Sequence, residues 1–166
     1  MPWRVAVCER DGVRSWYECG DNPVWNDCPT ADAWEVLLAV ARRMPSGQIL
    51  VDCRIARQGM HLVFDQALGL LVHDRPEGSW RPYFPHRPSP PAGASDWHGL
   101  HPAEFLASRG FPRAEAFGLL RLFLETGELP TTVLRSGDEH PLLPGIEAFA
   151  LPDEWWQVEW VSAGEW

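Results

Sequence analysis

The chain has 166 residues, an apolar content of 45% and a formal net charge of −9 at pH 7. Its length suits one domain with a core of its own, and its apolar content excludes wholesale disorder. The negative charge argues against direct binding to nucleic acid or to an anionic membrane, because both require a basic surface.

Cysteine usage and the absence of long apolar segments predict the compartment. The four cysteines are Cys8, Cys19, Cys28 and Cys53, and none forms a C-x-x-C pair. The first twelve residues, MPWRVAVCERDG, lack the apolar segment of a signal peptide. No stretch reaches the roughly 20 apolar residues that a membrane helix needs. We therefore expect a cytoplasmic protein with reduced thiols.

The first third of the chain contains signals for a hairpin and a helix. Residues 3–9 and 13–19 alternate apolar with polar, and the Asp-Gly pair between them predicts a β-hairpin. Residues 20–29 are rich in turn formers and predict a loop. Apolar residues at helical spacing then predict a helix at 31–43, which Pro45 should end.

Three apolar runs follow, and they predict an antiparallel meander. The runs are 48–55, 60–65 and 68–74, with short connections between them. In the first run, alternation places Ile49, Val51 and Cys53 on one face. Cys53 is expected in the core, since free cysteines are among the most buried residues.

The second half begins with seven prolines in residues 76–102, which predict a long loop with at most a short edge strand at 80–84. Helices are predicted at 102–108 and 112–126, the second with Gly127 at its C-terminal end. Strands are predicted at 131–134 and 154–161.

These elements together predict an α+β fold, a mainly antiparallel sheet with two principal helices packed on one face. We interpret residues 1–166 as a single domain. Its special segments are the proline-rich loop 76–102 and an acidic, tryptophan-rich C-terminal extension at 136–166.

The acidic residues are concentrated at the C-terminus. Residues 125–166 hold nine carboxylates against one arginine, a charge of −8, whereas residues 1–124 carry only −1. The same 42 residues include four tryptophans. A field of one sign steers an oppositely charged partner, and tryptophan is a frequent interface anchor. This segment therefore indicates binding to a basic partner, although a strand at 154–161 would also bury one of its two aromatic faces in the protein.

Signals for catalysis are few. His98 and His101 in the proline-rich loop, with Asp96 beside them, form the best candidate metal site, but no third ligand has motif spacing. Asp52 and Asp65 could form an acid/base pair across a hairpin, although solvated positions on the outer face of the sheet are the favoured interpretation. No nucleophile elbow, zinc-protease motif or phosphate-binding loop occurs.

Residues 111–133, FPRAEAFGLLRLFLETGELPTTV, follow a recognisable order: a proline opens a helix, a Thr-Gly pair closes it, and Pro130 and Val133 lead into a strand. This stretch resembles the C-terminal signature of a bacterial immunity protein family found beside deaminase-type and other polymorphic toxins. The preceding helix and meander are also similar to that family, so the resemblance covers about residues 31–135. Where the family pattern places a tryptophan, this chain has Arg135.

The resemblance implies a protein without catalytic activity or cofactor that binds a cognate toxin in the cytoplasm. The acidic charge adds the expectation that the toxin presents a basic surface, as toxins that act on nucleic acid must. The alternatives from the residues are a small metal-dependent hydrolase that uses His98 and His101, or a non-catalytic adaptor module. The predicted partner-binding residues are Asp138, Glu139, Asp153, Glu154, Trp155, Glu159 and Trp160.

Overall fold

The structure is a computed structural model, and it describes residues 3–9, 25–28, 30–53, 55, 57–74, 80–83, 111–128, 132–134 and 148–150. The strands are β1 (Trp3–Glu9), β2 (Asn26–Cys28), β3 (Gly47–Cys53), β4 (Gln58–Phe64), β5 (Leu68–Asp74), β6 (Trp80–Tyr83), β7 (Phe111–Pro112), β8 (Thr132–Leu134) and β9 (Ala148–Ala150). The helices are α1 (Thr30–Arg43) and α2 (Arg113–Thr126).

Seven strands form one sheet in the order β2-β1-β3-β4-β5-β6, and β7 pairs with β5 beside β6. Every pair in this sheet is antiparallel. Strands β8 and β9 form a separate parallel pair. The chain thus combines an antiparallel sheet with helices, which agrees with the predicted α+β class.

The structure contains the predicted meander, both of the longer helices and the strands near residues 80 and 131. Their bounds are nearly the predicted ones. The first run is shorter than predicted, because β3 ends at Cys53 and Ile55 lies in the following turn with 78% of its surface exposed. The prediction of a loop throughout 20–29 was wrong, since β2 pairs with β1 there. The predicted strands 13–19 and 154–161 and the predicted helix 102–108 lie outside the described residues.

The main buried apolar cluster includes residues from one face of the sheet and residues from α1 and α2. The predicted face of β3, with Ile49, Val51 and Cys53, lies in this core. The largest members of the cluster are Trp3, Leu37, Ile49, Met60, Leu62, Phe64, Leu71, Phe117, Leu119, Leu120 and Phe123, all under 2% exposed. Each side chain of this size contributes roughly 1.5–3 kcal/mol when it is fully buried.

Helix α2 approaches β5 closely at a glycine. A β-carbon placed on Gly69 would lie 2.4 Å from the β-carbon of Ala116 and 3.4 Å from Cδ1 of Leu62. Glycine normally weakens a strand, and it often marks a point where another part of the chain comes near. Gly69 therefore sets the distance between α2 and the sheet.

The C-terminal end of α2 is tied to the sheet by side-chain donors. Gly127 has φ 74° and its N–H donates to the Phe123 carbonyl at 2.7 Å, which ends the helix as predicted. The indole N–H of Trp3 donates to the Leu124 carbonyl at 3.0 Å. The Gln58 side-chain amide donates to the Gly127 carbonyl at 2.8 Å. A helix leaves its last carbonyls without partners inside the helix. Side chains of β1 and β4 bond carbonyls at this end of α2.

The N-terminal end of α2 carries a buried arginine that joins three segments. The Arg113 guanidinium donates to the carbonyl oxygens of Ala41, of Met44 at 3.0 Å and of Pro45 at 3.4 Å, at the C-terminal end of α1. It also donates to the Asp65 carbonyl at 2.7 Å, in the β4–β5 turn. Arg113 thereby pairs the unsatisfied carbonyls of α1 and places a positive charge where the helix dipole favours it.

Aromatic rings surround the same guanidinium. Its central carbon lies 4.7 Å from the ring centroid of Phe64 and 5.2 Å from that of Phe117. Burial lowers the pKa of Arg113 to about 10, and the Asp65 carboxylate opposes this shift. At neutral pH the group therefore remains charged within the core.

We predict that Gly69→Ala destabilises the fold by about 1–3 kcal/mol, because the added methyl group overlaps Ala116. Chemical denaturation of Gly69→Ala, Ala116→Gly and the double variant measures this effect. The two changes should couple, so that Gly69→Ala costs less when residue 116 is glycine. Simple additivity of the two effects would show that the contact is absent.

We predict that Arg113→Met destabilises the fold by about 3–5 kcal/mol, since it strands buried carbonyls that Arg113 now bonds. The matched control is Arg121→Met in the same helix. Arg121 pairs with Glu125 at 3.1 Å on a partly exposed surface, so its loss should cost about 1 kcal/mol or less. Equal losses of the free energy of unfolding in the two variants would contradict the assigned role of Arg113.

Candidate partner-binding surface

The outer face of the sheet, opposite the main core, carries a row of charged residues. The register aligns Asp27, Arg4, Asp52 and Gly59 across four neighbouring strands, β2, β1, β3 and β4. Residues in register on one face of a sheet are direct neighbours. The row holds two carboxylates against one arginine, so it is acidic.

Within this row, Arg4 contacts the side chains of Asp52 and Trp25. Its Nε donates to Oδ2 of Asp52 at 2.6 Å, and its guanidinium lies 4.3 Å from the ring centroid of Trp25. The side chains of Arg4 and Asp52 are 26% and 19% exposed, so solvent weakens their attraction to a few tenths of a kcal/mol up to about 1 kcal/mol. Asp27, across from Arg4 on the edge strand, is exposed. Of the row, Asp27 is the carboxylate best placed to meet a cationic group of a partner.

The residue beside Asp52 on β4 is Gly59, which has no side chain. A β-carbon on Gly59 would lie 2.7 Å from the Val51 carbonyl oxygen and 3.5 Å from Oδ1 of Asp52. The first distance is shorter than real contacts allow, so only glycine fits at this position. The Asp52 carboxylate therefore has no side chain beside it on β4.

Next to the charged row, the same face is apolar and buried. Its buried residues are Ala6, Leu50, Val63, Leu70 and Val72, none more than 6% exposed. They do not belong to the cluster formed with the helices. The sheet is thus buried on both faces over its central strands.

A polar pair lies within this apolar region. Nε2 of His61 and Oε1 of Gln48 are 2.5 Å apart, and because an amide oxygen only accepts, the imidazole must donate. Gln48 is 2% exposed. Burial lowers the pKa of His61 to about 4, so the ring is neutral at pH 7.

The two aspartates considered as an acid/base pair are not neighbours. Asp52 pairs with Gly59 at one end of the β3–β4 hairpin, whereas Asp65 follows Phe64 at the other end. Oδ1 of Asp65 accepts hydrogen bonds from the backbone N–H groups of residues 67 and 68, at 2.8 and 2.7 Å. Asp65 therefore shapes the β4–β5 turn, and the hypothesis of a catalytic pair was wrong.

The other predicted site residues lie outside the described part of the chain. They are the candidate metal ligands Asp96, His98 and His101 and the partner-binding residues Asp138, Glu139, Asp153, Glu154, Trp155, Glu159 and Trp160. Within the residues that the structure describes, no three His, Cys, Asp or Glu side chains are grouped to hold a metal. Cys53 is buried, as expected for a core residue.

Sequence reasoning missed the contacts of Arg4, Trp25 and Asp27. Their proximity depends on the pairing of β2 with β1, and the sequence of β2, Asn-Asp-Cys, carries no strand signal. Only the observed register brings them together.

Comparison with known proteins identifies no relative of this chain. No protein-family model matches the chain, and no curated protein or solved structure does so either. Among the described helices, none is long and apolar enough to cross a membrane.

We predict that protonation of His61 destabilises the fold in mild acid. The folded pKa of about 4 lies below the ordinary value of 6.5, so the unfolded chain binds more protons between them. This stability is fully present above pH 6.5 and is lost as pH falls towards 4. Between about pH 7.5 and pH 5 the loss should reach about 1–2 kcal/mol.

Denaturation of the wild type and of His61→Gln across this pH range measures the effect. The variant should be less stable at neutral pH but should lose the part of the pH dependence that His61 supplies. A pH dependence identical in both proteins would show that His61 titrates normally.

Proposed function

We propose that this chain is an immunity protein that binds a cognate bacterial toxin and blocks its basic active-site surface. The observation that carries the proposal is the charge of −8 in residues 125–166 together with their four tryptophans. The resemblance of residues 111–133 to a family of toxin-neutralising proteins supports it independently, because the acidic tail lies almost entirely outside that stretch.

In the proposed mechanism, charged residues speed the encounter with the toxin, and apolar contacts keep the complex together. A toxin that acts on nucleic acid has a basic groove for phosphates, and carboxylates can occupy the same groove. The acidic tail would accelerate the encounter by electrostatic steering. Retention would depend on a few desolvated anchors, for which Trp155 and Trp160 are the proposed residues. The inhibitor itself needs no cofactor and carries out no reaction.

The described residues would act as the scaffold in this mechanism. We propose that α1 and α2 both cover one face of the sheet, an arrangement supported by the buried cluster to which both contribute. The acidic row with the exposed Asp27 lies on the other face. It has the same sign of charge as the tail and would extend the negative field towards a basic partner.

The toxin must first be identified, and the neighbouring gene is the place to look. The proposal expects a large secreted protein with a C-terminal toxin domain to be encoded directly upstream. A pull-down from the native host, with the full chain as bait, provides the alternative route.

We predict that reversing two tail charges, Asp153→Lys with Glu154→Lys, weakens toxin binding at least about tenfold and steepens the growth defect when the toxin is expressed. The matched control is Glu35→Lys with Ala39→Lys and Gln66→Lys, which changes the net charge equally at three exposed positions outside residues 125–166. Surface plasmon resonance and a co-expression growth assay measure the two effects.

The control variant should bind within about two- to threefold of the wild type, a difference of well under 1 kcal/mol. If the tail variant folds and binds as the wild type does, the tail is not part of the interface. If neither gene neighbourhood nor pull-down yields a toxin, the proposal itself fails and an adaptor role becomes the better interpretation.

We further predict different kinetic effects for charges and anchors. Trp155→Ala should mainly increase the dissociation rate, because it removes a desolvated contact. The charge reversal should mainly reduce the association rate, and added salt should reduce the wild-type association rate in the same way. A dissociation rate unchanged by Trp155→Ala would exclude Trp155 as an anchor.

A further inference from the structure

We draw no further inference here: the strongest candidate, the buried apolar face of the sheet around His61 and Gln48, lies opposite the core shared with the helices, and nothing among the described residues shows what covers it.

Discussion

The burial of the Arg113 guanidinium is the constraint on which the described fold depends. One side chain bonds carbonyls at the end of α1 and in the β4–β5 turn, while its own backbone begins α2. A buried charge is costly unless hydrogen bonds compensate for the lost water, and here both terminal nitrogens of the guanidinium are bonded while two aromatic rings lie beside it. Because these acceptors come from separate segments, the cation can be accommodated only when both helices and the turn are in place together.

The two ends of α2 are therefore fixed by different means. At the N-terminal end of α2, the side chain of Arg113 donates hydrogen bonds to other segments. At the C-terminal end, the side chains of Trp3 and Gln58 in the sheet donate to backbone carbonyls of that end. Between them, Gly69 lets the helix lie directly against β5. Helix α2 is thus held at both of its ends and packed closely against the sheet between them.

Sequence reasoning succeeded where the signals are local and failed where they depend on pairing. The end of α2 at Gly127 and the inward face of β3 follow from helix punctuation and from strand alternation, which act within a few residues. No local signal marks Arg113, because its role depends on carbonyls about 50 to 70 residues earlier in the chain. The acid/base pair of Asp52 and Asp65, which the sequence already disfavoured, is excluded because the hairpin register places Asp52 opposite Gly59. The tail residues stay predictions.

The negative charge is concentrated in the C-terminal quarter of the chain. Residues 1–124 carry a charge of only −1, and in the described sheet Arg4 already engages Asp52. The body of the protein can therefore generate little of the field that a distant partner would meet, and the C-terminal residues must supply most of it. Exposed carboxylates are each worth about 1 kcal/mol or less in a complex, because water and salt screen them. Such charges can direct an encounter, but lasting association requires buried apolar area, which tryptophans placed among the carboxylates would provide.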